Sequence, residues 1–185
     1  MSKADKVLED IEKVAAVEGA SLPIIGHEKG NVLENAIREK QPSLILEIGT
    51  LVGYSSILMG KNLKKGKIIS IEINKKNHLA AKVNIERAGL SDKIGLINGN
   101  ALEVIPTLDG PFDMVFIDAK KEEYLKYLKA AEPKMTKDAI VIADNVGVFK
   151  GRMKDFLDHV RKSGKYRSEL HDFGFDEVEV SKRIR

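Results

Sequence analysis

The sequence predicts an α/β protein built on a doubly wound, mostly parallel sheet. Three observations predict it. Short apolar segments alternate with longer amphipathic ones between residues 44 and 163. The apolar segments lack polar/apolar alternation, as strands covered on both faces do. Glycine, proline and asparagine fall at the junctions, where caps and turns need them.

Taken in order, Val7, Leu8, Ile11, Val14, Ala15 and Val17 recur with a period near 3.6 and predict an amphipathic helix over 5–18. Ser21-Leu-Pro-Ile-Ile-Gly26 interrupts it. A second helix runs from about Glu28 to Lys40, with Val32, Leu33, Ala36 and Ile37 on one face, and Pro42 ends it. Leu44–Ile48 is the first strand, followed by a helix over Ser55–Lys64 and a second strand over Lys67–Ile73. Asn74 can cap the next helix and Gly89 close it. Ile94–Asn98 is the third strand. A short helix near Ala101–Ile105 is stopped by Pro106. Met114–Ile117 is the fourth strand, Glu122–Glu132 a helix stopped by Pro133, and Ala139–Ala143 the fifth strand. Arg152–Ser163 is the last helix. Tyr166–His171 and Glu177–Lys182 flank Asp172-Phe-Gly-Phe-Asp176 and read as an antiparallel hairpin. Crossovers in such a sheet are right-handed, and ligands sit beyond the carboxyl ends of the strands.

With 185 residues the chain fits one domain, residues 1–185, that buries roughly 70% of its unfolded surface. Apolar content of 43% and charged content of 32% are ordinary for a globular protein. No run of 18 apolar residues suggests a membrane span. Met1-Ser-Lys-Ala-Asp-Lys6 lacks the apolar core of a signal peptide, so a cytoplasmic location is expected. Without cysteine there is no disulfide, thiolate metal site or thiol nucleophile. The four histidines show no metal-site spacing. His27, in what reads as a loop, borders a substrate mouth or lies on the surface. Net charge is +3 and the pI about 8.9, below what a dedicated nucleic-acid binder carries. The basic tail (Arg161, Lys162, Lys165, Arg167, Lys182, Arg183, Arg185) is a solvated face or an RNA-facing patch.

The strand ends carry the chemistry. Leu44-Ile-Leu-Glu-Ile-Gly-Thr-Leu-Val-Gly-Tyr-Ser-Ser56 runs from strand to glycine turn to helix. The pattern E-x-G-x-x-x-G-Y-S departs from G-x-G-x-x-G, pointing away from a pyrophosphate and toward a smaller nucleoside such as S-adenosylmethionine (SAM). It also argues against a nicotinamide oxidoreductase. Glu47, Gly49 and Gly53 anchor the motif. Glu72, 23 residues after Gly49, suits a ribose diol, because a carboxylate accepts from two neighbouring hydroxyls; otherwise it is a surface acid. Asn100 meets an adenine edge, caps a helix, or does both. Asp118, Asp144 and Asn145 converge if the fourth and fifth strands are neighbours. Three hard oxygen ligands suit Mg²⁺, with Mn²⁺ and Ca²⁺ as alternatives; singly, a cap and a turn explain them. Lys121 is the base candidate, with Lys120 the competing assignment.

Five segments occur together in this order: Ile25-Gly-His-Glu-Lys-Gly30, Leu46–Ser56, Ile69-Ser-Ile-Glu-Ile-Asn74, Phe112–Tyr124 and Val141-Ile-Ala-Asp-Asn-Val146. Together they resemble SAM-dependent, divalent-metal-dependent O-methyltransferases of the catechol and caffeoyl-CoA type, over roughly residues 7 to 182. The resemblance implies a Rossmann-like class I methyltransferase fold, with a seven-stranded sheet ending in the hairpin and two N-terminal helices. It implies that Glu47, Gly49, Gly53 and Ser55 border the methionine part of SAM, that Glu72 holds its ribose, and that Asn100 and Ala101 border its adenine. Asp118 also borders the cofactor. Asp118, Asp144 and Asn145 match the metal ligands and Lys121 the general base. The implied acceptor is a small catechol-like diol, with a hydroxylated tRNA base as the alternative, and the implied assembly is a homodimer. Family members often carry Gly-Asp-Ala where this chain has Gly99-Asn100-Ala101.

Overall fold

The computed structural model describes residues 1–18 and 22–185; Ser21, part of the expected break after the first helix, lies outside them. The elements follow the expected order: α1 Lys3–Glu18, α2 Gly26–Lys40, β1 Leu44–Ile48, α3 Tyr54–Asn62, β2 Lys67–Glu72, α4 Lys75–Ala88, β3 Ile94–Asn98, α5 Ala101–Val104, β4 Phe112–Ile117, α6 Tyr124–Ala131, β5 Met135–Ala143, α7 Lys154–Lys162, β6 Tyr166–Asp172 and β7 Glu177–Arg183.

The sheet order is β3-β2-β1-β4-β5-β7-β6. Strands β1 to β5 pair in parallel; β7 runs antiparallel between β5 and β6. The order reverses between β1 and β4, so the ligand crevice of a doubly wound fold belongs at their carboxyl ends. Those ends are held level by the backbone: Gly49 N–H donates to Ile71 O at 3.0 Å, Asp118 N–H to Ile48 O at 2.9 Å, and Asp144 N–H to Ile117 O at 3.1 Å.

Alternate strand residues feed two cores. Ile45, Ile68, Met114, Phe116 and Ile142 pack beneath α1 to α4. Leu46, Ile48, Ile71, Val115, Ile117 and Val141 pack against α5 to α7, where Tyr124 and Phe156 meet edge to face at 5.7 Å. Caps fall where the sequence placed them. Asn74 Oδ1 accepts from Lys76 N–H and Asn77 N–H, and Gly89 closes α4 at φ +70°.

Several boundaries differ from expectation. Pro106 does not stop the chain's winding after α5. It lies in a 3₁₀ turn over Ile105–Thr107, where its missing N–H is not needed. Likewise 3₁₀ turns flank α6, and one precedes α7. β5 begins at Met135, because the polar stretch Thr136-Lys-Asp138 extends the strand without disturbing its buried end.

Candidate active site

The site grows from the turn after β1. Gly49 has φ +97°, and a Cβ there would lie 2.0 Å from the carbonyl oxygen of Asp118, so only glycine lets β1 and β4 converge at this point. Gly53, at φ +88°, opens α3 against Ala81. The loop between them is tied down by Glu72. Its Oε2 accepts from Leu51 N–H and its Oε1 from Asn74 N–H, both at 2.8 Å. Glu47 is fully buried behind this loop, where the hydroxyls of Ser55 and Ser56 donate to its two oxygens. Burial outweighs those donors and pushes its pKa up to about 7, and the charge of Asp118 adds to the rise. Asn100 caps α5, accepting from Leu102 N–H at 3.1 Å, and its Nδ2 donates to Glu103 at 3.2 Å.

The ends of β4 and β5 form the second half. Lys121 Nζ lies 2.8 Å from Asp118 Oδ1, 2.7 Å from Asn145 Oδ1 and 2.8 Å from the Tyr124 hydroxyl. Tyr124 OH in turn donates to the Asp144 carbonyl at 3.1 Å. Asn145 sits at φ +61°, a conformation asparagine tolerates better than most residues. Asp144 is buried, and its Oδ1 accepts from Asn145 N–H at 2.8 Å and from Lys29 Nζ at 2.7 Å. Burial first, then the Asp118 charge, raise the Asp144 pKa. Burial pulls the Lys29 ammonium down, yet Asp144 and Asp176 outweigh it and leave its pKa raised.

A cavity of about 690 Å³ joins the two halves, within the range of small-molecule sites. Gly49, Ser55, Glu72, Asn100, Ala101, Asp118, Lys121 and Asn145 line it; Glu47, Gly53 and Asp144 stand behind the lining. Ile24, Ile25, Ile48 and Phe149 add apolar wall. Lys120 also reaches the rim but pairs with Glu123 at 3.0 Å with its side chain 64% exposed.

The donor set suits a hard dication. Lys121 Nζ shows that oxygens of Asp118 and Asn145 converge on one positive centre. The second carboxylate oxygens of Asp118 and Asp144 accept no hydrogen bond among the described residues. Among those residues no three His, Cys, Asp or Glu side chains gather as a metal cluster. Asp118 and Asn145, with Asp144 buried behind them, offer carboxylate and amide oxygens of the kind that oxygen-preferring cations accept.

A family model described as O-methyltransferase matches residues 1–176. The chain belongs to the O-methyltransferase family. It is 36% identical to catechol O-methyltransferase of Mycobacterium tuberculosis over 137 residues, which cover 72% of this chain and 62% of that protein. To the catechol O-methyltransferase of Sus scrofa it is 33% identical over 150 residues, covering 77% and 80%. The chain spans about three fifths of the mycobacterial, Niastella koreensis and Bos taurus catechol O-methyltransferases. Among solved structures it superposes on the O-methyltransferase from Bacillus cereus in complex with SAH, with TM-score 0.83, 26% identity and coverage of 96% and 90%. The O-methyltransferase TomG from Streptomyces achromogenes, in complex with SAM, gives TM-score 0.83, 26% identity and coverage of 97% and 90%. The class I methyltransferase fold expected from the sequence is thus the fold this O-methyltransferase family member adopts.

Lys29 and Asp176 were not foreseen from the sequence, and neither was Tyr124, whose hydroxyl meets Lys121 Nζ at 2.8 Å. Lys29, from the Gly26-His-Glu-Lys-Gly30 segment, is buried and reaches Asp144 and Asp176 at 2.7 Å each. His27, the residue of that segment singled out from sequence, is exposed in the first turn of α2 rather than in a loop. Asp176, in the hairpin turn, accepts from Asn145 Nδ2 at 2.7 Å and from Val148 N–H at 3.2 Å. The signal for Lys29 and Asp176 was faint: a lysine inside a glycine-flanked motif, and an acid in a turn beside two phenylalanines.

Proposed function

We propose that this protein is a SAM-dependent, divalent-cation-dependent O-methyltransferase acting on a small catechol-like diol. The observation that carries this is the convergence of Asp118, Lys121 and Asn145 at the mouth of a cavity whose other half is the Gly49 turn and Glu72. The names of the catechol O-methyltransferase relatives and of the SAH- and SAM-bound neighbours support it.

In this reading Gly49 and Ser55, with Glu47 and Gly53 behind them, frame the methionine end of SAM. Glu72 takes the ribose diol, and Asn100 and Ala101 border adenine. Asp118, Asp144 and Asn145 would hold the cation, Mg²⁺ by preference. When bound, the dication lowers the pKa of a diol hydroxyl and SAM supplies the methyl group. Lys121, once it has given up its own ammonium proton to solvent, would accept the hydroxyl proton at Nζ, and Tyr124 would keep that nitrogen oriented. The cavity walls hold the oxygen in line with the methyl, and near-attack positioning supplies much of the rate.

Charge placement favours a diol over tRNA. Arg161 is held bidentate by buried Glu179, Lys162 pairs with Asp158, Lys165 with Glu132, and Arg183 caps the carbonyls of Glu132 and Met135. Arg161 and Arg183 are thus engaged by the fold, while Lys162 and Lys165 pair at the surface. α1 buries Ala4, Val7, Leu8 and Ile11 within the chain, so a homodimer through the N-terminal helices would use their outer faces.

The test offers labelled SAM and Mg²⁺ with 3,4-dihydroxybenzoate or with tRNA. Label on the diol supports the proposal. Label on tRNA alone replaces it with the RNA alternative.

A further inference from the structure

Lys29 lies 115 residues from Asp144 and 147 from Asp176 in the chain, yet its Nζ is 2.7 Å from an oxygen of each. The three side chains are 6%, 1% and 5% exposed. A buried ion pair is weak as a stabilising device, since well-packed apolar residues of similar volume often serve the fold as well. Its use must be sought in what it orients.

The hydrogen bonds show what that is. Lys29 and Asn145 N–H both hold Oδ1 of Asp144. Its other oxygen accepts no hydrogen bond among the described residues. Asp176 Oδ2 accepts from Lys29 and also from Nδ2 of Asn145, at 2.7 Å each. An amide whose nitrogen is fixed on one side must present its oxygen on the other, and Asn145 Oδ1 does so, toward Lys121 at 2.7 Å. Lys29 is not among the residues that line the cavity.

We propose that Lys29 is a positioning residue: acting on Asp144 directly, and on Asn145 through Asp176, it decides which oxygen each presents to the dication. This rests on the cation site proposed above. Outer partners of this kind are worth ten- to a hundred-fold in metal affinity. A role through charge alone has the opposite sign, because removing an ammonium beside a ligand carboxylate attracts a dication more strongly.

The experiment is calorimetric titration of SAM-free protein with Mn²⁺, in wild type, Lys29→Met, Asp176→Asn and the double variant. Far-UV circular dichroism and metal-free melting serve as folding controls. Lys29→Met is expected to weaken Mn²⁺ binding about ten-fold or more, with SAM affinity unchanged. The double variant is expected to be no weaker than the worse single, because both act through one set of bonds. Should Lys29→Met not fold, Asp176→Glu, which keeps the charge but moves the oxygens, takes its place, and weakened Mn²⁺ binding by that variant supports the positioning role. Unchanged or tighter Mn²⁺ binding by a folded variant overturns the positioning role while leaving the cation site standing. Wild type that takes up no Mn²⁺ overturns the cation site and the inference together.

Discussion

Glu47 sits with no exposure beside three serines, and burial pushes its carboxyl up to about 7 from the usual 4.5. A raised carboxyl binds its proton more tightly folded than unfolded. Its contribution is therefore greatest below about pH 4.5 and declines as pH rises toward about 7. Ligand-free protein should lose up to about 3 kcal/mol of stability across that window from this group. Glu47→Gln should flatten the profile in urea melts taken from pH 5 to 8; a decline identical to wild type would remove Glu47 as its source. Gly49→Ala asks for a Cβ 2.0 Å from a backbone oxygen at φ +97°. We expect a loss of about 3 kcal/mol or more together with cofactor binding, read by thermal melting and SAM calorimetry. Such residues were legible in the sequence because a glycine turn after an apolar strand is a local pattern. Lys29 and Asp176 were not, because nothing local in α2 or the hairpin turn says that they meet.

At the scale of elements, α6, α7 and β6 are joined by Glu132. Its carboxylate accepts from Tyr166 OH at 3.0 Å, lies 2.6 Å from His159 Nε2 and 3.3 Å from Lys165 Nζ. Burial opposes ionisation here, but His159 and Tyr166 outweigh it and hold the carboxyl down at about 2. A depressed carboxyl stabilises above its unfolded value. Its contribution is therefore complete above about pH 4.5 and is lost as pH falls toward about 2. Glu132→Gln should cost about 1–3 kcal/mol at pH 7, and the gap to wild type should close in acid. Equal stability at pH 7 would contradict this. Element type and order could be read from periodicity and caps: β1 and β3 fall on Leu44–Ile48 and Ile94–Asn98 as expected. Ends such as Met135 and the 3₁₀ turns could not, because Met135 joins the sheet by pairing with Phe112 across a register shift, beyond a polar stretch that has no strand signal of its own.

For the whole molecule, the order reversal between β1 and β4 explains why residues from β1, β2, β4 and β5 share one cavity. Motif spacing and the family resemblance named some of that cavity's residues, while tertiary pairing decided that basic tail residues such as Arg161 and Arg183 serve the fold. Bound SAM should raise the melting temperature in proportion to the logarithm of its concentration, as a ligand of the native state does. The chemistry proposed for the ends of β4 and β5 is metal-assisted methyl transfer. The direct measurement is single-turnover transfer from labelled SAM to 3,4-dihydroxybenzoate, with Mg²⁺ and with EDTA, in wild type and Lys121→Met. Metal-assisted transfer predicts a reaction that EDTA abolishes, and a fall of about a hundred-fold or more in Lys121→Met while SAM still binds. Transfer indifferent to EDTA, or Lys121→Met at the wild-type rate, would contradict it.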